Sequence, residues 1–151
     1  MGASEFLRAR RQLGKSVPKV DAPRAFQLYE TLTTAIDQNL VASTHDVSDG
    51  GLGVALAESA FGGDLGMNVD LAPLGLDNAT IALFSESQSR IVVTVPKSRA
   101  KSFESLFRGQ ACYCIGEVSN DRRFTVRTGN QVRVSASIDD LKAAWQRPLA
   151  W

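Results

Sequence analysis

The sequence predicts an α+β, or layered α/β, domain. Three observations carry that reading. Short β-branched runs alternate with helical apolar periods along the chain. Their order is helix, strand–helix–strand, strand–helix–strand, hairpin, closing helix. The chain has 151 residues, 44% of them hydrophobic, which suffices for one buried core. Two β-α-β halves in series match a split β-α-β core with additions. Helices would then cover a mainly antiparallel sheet.

Residues 1–20 hold Gly2, Gly14 and Pro18 and no sustained period, so they read as a linker, with the folded domain spanning 21–151. Arg8, Arg10 and Arg11 lie there without an apolar h-region, which excludes a secretory signal. Asp21 can cap a helix with Pro23 in its first turn. Phe26, Tyr29, Leu32, Thr33, Ile36 and Leu40 continue that helix at helical spacing, and Asn39 fits its end. Leu40 to Asp46 reads as a strand. Ser48 to Phe61 reads as a second helix, started by Ser48 or Asp49 and ended by Gly62-Gly63.

Met67 to Leu71 alternates and reads as a strand, broken by Pro73 and Gly75. Asp77 to Leu83 predicts a short helix. Arg90 to Val95 is β-branched and bounded by Pro96, which predicts a strand. Lys97 to Phe107 predicts a helix with Ala100, Phe103, Leu106 and Phe107 on one side. Cys112 to Val118 reads as a strand. Arg123 to Arg127 and Val132 to Ser135 flank Thr128-Gly129-Asn130-Gln131, a hairpin signal. Ser137 caps a last helix, with Asp139 and Asp140 in its first turn, where the helix dipole favours them.

Composition narrows the function classes. Charges nearly cancel, at 17 basic against 16 acidic residues. The basic residues are scattered, so neither nucleic acid nor an acidic membrane is an expected partner. No apolar run approaches the length of a membrane span. Cys112 and Cys114 are the two cysteines. They read as buried free thiols on one strand face, or as a Cys-x-Cys metal or redox pair. Sparse cysteine points to a reducing, cytoplasmic compartment. No metal ligands are assigned.

Chemistry concentrates in two runs. The first is His45-Asp46-Val47-Ser48-Asp49-Gly50-Gly51-Leu52. Asp46 and Ser48 fall at the carboxyl end of a strand, an edge where ligands bind in α/β sheets. Gly50 and Gly51 permit close backbone approach and expose amides at a helix start, which suits an anion. Asp46 and Asp49 could hold a divalent cation. The alternative is plain capping, with His45, the only histidine, an ordinary strand residue. A catalytic His45–Cys112 or His45–Cys114 pair is a further alternative. No Walker-type phosphate loop occurs.

The second run is Ser85-Glu86-Ser87-Gln88-Ser89-Arg90. Glu86 and Gln88 can bond a sugar hydroxyl or amide, and Arg90 can pair a phosphate. The alternative is a solvated loop entering a strand.

Taken together, His45 to Phe61 and Leu83 to Val95 closely resemble phosphoribosylformylglycinamidine synthase, in the C-terminal domain of its synthetase subunit. Ile115 to Val118, Leu141 to Trp145 and Gly2 to Leu7 are similar to the same protein in the same order. The resemblance implies the fold shared with the C-terminal domain of aminoimidazole ribonucleotide synthetase, with partial likeness to a ferredoxin-like fold. It implies that residues 1–20 leave a preceding nucleotide-binding-type domain. It further implies a purine-biosynthesis ligase. That enzyme converts formylglycinamide ribonucleotide to its amidine with ATP, magnesium and glutamine-derived ammonia.

On this resemblance the partners are the other synthetase domains and a glutaminase domain or subunit. Self-association of the isolated piece is expected too. Glu86-Ser87-Gln88 match in type a substrate-contacting triplet of the family, but in the second, pseudo-symmetric copy of the domain. The candidate substrate- or phosphate-binding residues are Asp46, Ser48, Asp49, Gly50, Gly51, Glu86, Ser87 and Gln88. No catalytic residue is assigned, and the piece alone is expected to be inactive. The alternatives are the same domain type from aminoimidazole ribonucleotide synthetase, selenophosphate synthetase or a hydrogenase maturation factor, or a non-catalytic interaction domain.

Overall fold

A computed structural model describes residues 1–149. The chain divides into two compact units, one of residues 1–51 and 86–112, the other of residues 52–85 and 113–151.

The first unit begins with a short helix α1 (Glu5–Ala9), capped where the Ser4 hydroxyl accepts the Leu7 N–H at 3.4 Å. Ser4 is 1% exposed. The stretch read as a linker thus contains a helical element, too short for a period to show. Helix α2 (Ala22–Asp37) starts as expected: the Asp21 carboxylate accepts the Arg24 N–H and Pro23 falls in the first turn. Asn39 follows in left-handed conformation, φ 56°.

Of the large apolar residues expected along α2, Leu32 is buried, but the others within the helix are not. Ala25, Leu32 and Ala35 are buried, while Phe26, Tyr29 and Ile36 are exposed. The two stripes have the same spacing and differ by one residue of rotation. Leu32 and Ala35 pack with Phe103 of the neighbouring helix and Phe107 just past its end, against Leu28, Leu40, Ile91 and Val93. That helix is α5 (Ala100–Leu106), preceded by a 3₁₀ turn at Lys97–Arg99. The Phe103 and Phe107 rings lie 4.5 Å apart, as their helical spacing predicts.

Strand β1 (Ser43–Asp46) pairs antiparallel with β3 (Ile91–Thr94), Asp46 opposite Ile91 and Ser43 opposite Thr94. The predicted strands, Leu40 to Asp46 and Arg90 to Val95, are thus each trimmed to four residues.

In the second unit, α3 (Gly51–Gly63) buries Leu52, Ala55, Leu56 and Ala60. Gly62 and Gly63 lie inside it, and the left-handed residue that ends it is Asp64, φ 56°. Strand β2 (Gly66–Asp70) follows, then a 3₁₀ turn at Ala72–Leu74 and α4 (Ala79–Phe84). The Asn78 side chain caps α4 through the Thr80 and Ile81 N–H groups. The remaining strands are β4 (Gly116–Ser119), β5 (Arg123–Thr128) and β6 (Gln131–Ser137). Sheet order is β4-β2-β5-β6, with β2 and β5 parallel and the other pairs antiparallel. Met67 lies beside Phe124 and Val69 beside Val126, all four buried on one face. The hairpin turns at Gly129, φ 57°. Ser137 caps α6 (Ile138–Gln146), accepting the Asp140 N–H at 3.0 Å and donating to the Asp140 carboxylate at 2.6 Å.

Two expectations are corrected here. The single, mainly antiparallel sheet expected is divided in two: β1 and β3 form one sheet, while β2 and β4 belong to the other. Cys112 and Cys114 are exposed, and the strand they were assigned to begins only at Gly116. A run alternating small and apolar residues carries a strand's period, but pairing partners decide where the strand begins.

Candidate functional site

Antiparallel pairing builds the site. It sets the carboxyl end of β1 beside the amino end of β3, and the Val47 N–H extends the ladder to the Arg90 carbonyl at 2.9 Å. The loop 47–51 and the loop 86–90, well separated in sequence, therefore leave the same end of one small sheet. All eight predicted site residues come from these two loops or the adjoining strand end.

Within this cluster Glu86 is the central acceptor. Its Oε1 takes the Gly50 N–H at 2.8 Å and the Glu5 N–H at 2.9 Å. Gly50 and Gly51 have φ 80° and 72°, a left-handed pair open to glycine at no steric cost. The Gly51 N–H turns to the Ser48 carbonyl at 3.0 Å. Helix α3 begins at Gly51. The Ser48 hydroxyl donates to Asp46 Oδ2. That bond, followed by Asp46's own backbone N–H, holds the Asp46 carboxyl below the usual carboxylate range. His45 Nδ1 stands 3.9 Å from Asp46 Oδ1. Asp49 and Gln88 are exposed, and Ser87 is half-buried.

Arg90 closes the loop by donating from Nε to the Ser87 carbonyl at 3.4 Å. Burial lowers its pKa from the ordinary value, and a guanidinium remains charged under such a shift. Three contributors escaped the sequence reading. The Glu5 amide and helix α1 come from the presumed linker, and Ser4, a good cap residue three before Leu7, was the signal for them. Arg8 bonds Glu5 at 2.8 Å through Nε and feels Asp49. Tyr29 bonds Ser89 at 3.0 Å; no sequence spacing links those two.

The donor set decides which chemistry fits. An arriving phosphate would need free amides at the Gly50–Gly51 turn, but Gly50 already serves Glu86 and Gly51 serves Ser48. Asp46, Asp49 and Glu86 add negative charge around it. Both amides of the turn are thus engaged within the protein. Ser87 and Gln88 add a hydroxyl and an amide group to the loop 86–90. Among the described residues, no cluster of three or more His, Cys, Asp or Glu could hold a metal ion, and no helix is long and apolar enough to cross a membrane.

The second unit has a different cavity. An apolar cleft of about 300 Å³ is lined by Phe61, Leu83, Phe124, Val126, Leu141 and Trp145, among others. The Trp145 indole donates to Glu58 at 2.9 Å, and its ring lies 5.6 Å from Phe61.

Comparison with known proteins follows the same lines. A family profile described as AIR synthase related protein, C-terminal domain, matches residues 1–129. The chain is 38% identical over 133 residues to phosphoribosylformylglycinamidine synthase subunit PurL of Limosilactobacillus reuteri, covering 88% of this chain and 17% of that protein. The chain thus spans about a sixth of the curated relatives it matches.

Among solved structures, Thermotoga maritima PurL complexed with FGAR superposes with TM-score 0.76 at 23% identity, over 91% of this chain and 24% of that one. A hydrogenase maturation protein, HypE, superposes less well, with TM-score 0.58 at 17% identity over 73% of this chain and 41% of that one. These likenesses show the fold, a mixed α/β arrangement in two sheets. Fold, motif order and profile agree, and the chain belongs to the AIR synthase related protein, C-terminal domain family.

Proposed function

We propose that this chain is the C-terminal-type domain of a phosphoribosylformylglycinamidine synthase. The parent would convert formylglycinamide ribonucleotide to its amidine in cytoplasmic purine biosynthesis, as an amidoligase using ATP, magnesium and glutamine-derived ammonia. The observation that carries the reading is 38% identity to a PurL subunit over 88% of the chain. Its partners would be the remaining synthetase domains, which residues 1–20 join to residues 21–151, and a glutaminase domain or subunit. A Thermotoga maritima assembly described as PurLQS also superposes on this fold, in keeping with a multi-subunit parent.

In this reading Asp46, Ser48, Asp49, Gly50, Gly51, Glu86, Ser87 and Gln88 form part of the wall of a ribonucleotide subsite. Glu86 and the two glycines hold its shape, and Ser87 and Gln88 face the sugar or amide of the ligand. The ATP phosphates and magnesium would be held by the rest of the parent.

A domain exchange tests this. Residues 1–151 replace the matching segment of the Limosilactobacillus reuteri subunit, and amidine formation is followed with ammonia as nitrogen donor. Retained turnover supports the reading. A folded chimera without turnover would overturn it.

A further inference from the structure

One oxygen atom joins three segments that are distant in sequence. Glu86 Oε1 accepts from Glu5, the first residue of α1, and from Gly50, the residue just before α3. Both donors belong to the class that a helix start leaves without an intrahelical partner. A carboxylate suits them because helix starts carry partial positive charge.

The position of the pair is also informative. The chain leaves the first unit after Gly51 and returns to it at Glu86. The Gly50–Glu86 bond therefore closes the neck of that excursion within the first unit. The third segment is itself held in place: Ser4 is buried, and the Gly2 N–H donates to the Ser16 carbonyl at 2.7 Å. A Cβ on Gly2 would overlap that carbonyl. The N-terminal residues thus form a closed loop, giving Glu86 a fixed object to hold.

We propose that Glu86 is a positioning residue, a latch whose single carboxylate oxygen holds the start of α1 and the Gly50–Gly51 turn to each other. The two ends are ordered together. Each donor fixes the carboxylate for the other, so loss of one weakens the bond to the second. The inference does not rest on the ligase reading, since it invokes no ligand.

Amide hydrogen exchange by NMR on the 151-residue chain tests it. Glu86→Ala is expected to speed exchange at both Glu5 and Gly50 by about tenfold or more, the usual scale for loss of a charge-assisted bond. Glu86→Gln keeps an oxygen acceptor without the charge and should retain part of the protection. Glu5→Pro deletes one donor at a first-turn position where proline is tolerated. It should speed exchange at Gly50, whereas Glu5→Ala, which keeps the N–H, should leave Gly50 unchanged. That cross-effect is the readout a merely local contact would not give. Unchanged Gly50 exchange in Glu5→Pro, or in Glu86→Ala, overturns the latch. If Glu86→Ala does not fold, the Gln and Pro variants decide.

Discussion

Ser48 and Asp46 show how a motif's residues can satisfy one another. The serine hydroxyl is the leading cause of the lowered Asp46 pKa, ahead of Asp46's own backbone N–H. A carboxyl depressed in the folded chain contributes stability above its unfolded pKa. That contribution is lost as pH falls through the folded value. Ser48→Ala should therefore return Asp46 towards the ordinary range and weaken the acid dependence of folding at this site. A carboxyl NMR titration measures it, and an unmoved midpoint would show that Ser48 is not the cause. Gly50 offers a second test at this scale. With φ 80°, an alanine there is strained by about 1–2 kcal/mol. Urea denaturation of Gly50→Ala should show a lower midpoint at unchanged slope.

The elements were legible where a local rule fixes them. Asp21 and Ser137 cap helices in the structure as their sequence contexts predict. Ser137→Ala should cost about 1 kcal/mol, the usual loss for a cap, read from the denaturant midpoint. The Thr128–Gln131 turn was legible for the same reason, since Gly129 supplies the left-handed backbone. Helix α2 was legible as a helix but not in its facing. Phe26, Tyr29 and Ile36 obey the same period as Leu32 and Ala35, and periodicity alone ranks the larger residues inside. The short helix α1 was missed because five residues hold barely one turn of pattern. The strand assigned from Cys112 fails between these cases: the alternation is present, but the ladder with β2 begins at Gly116, and β2 reaches only one residue further, where the Asp70 N–H meets the Ile115 carbonyl.

At the scale of the whole molecule, a chain matching 17% of a curated relative is expected to lack the relative's complete chemistry. Purified residues 1–151 should form no amidine from formylglycinamide ribonucleotide, ATP and ammonia; turnover by the pure chain would contradict that. The exposed stripe Phe26, Tyr29 and Ile36 leads to an expectation of self-association. Light scattering should then report a mass rising with concentration, and a monomer at every concentration would refute it.

The sequence alone determined the helix caps at Asp21 and Ser137, the hairpin, the alternation of elements and the two polar runs. Each depends on residues within a few positions of one another. The family resemblance was legible because those runs keep their order along the chain. Tertiary structure decided what lies beside what. It separated β1 and β3 from β2 and β4, turned α2 onto its alanine side, and brought residues 46–51 to residues 86–90 by antiparallel pairing. It also gave Glu86 its contacts. In sequence that residue is a polar side chain suited to a sugar hydroxyl. In the fold its Oε1 is shared by two backbone amides, because strand pairing and the path of residues 1–9 bring them within reach.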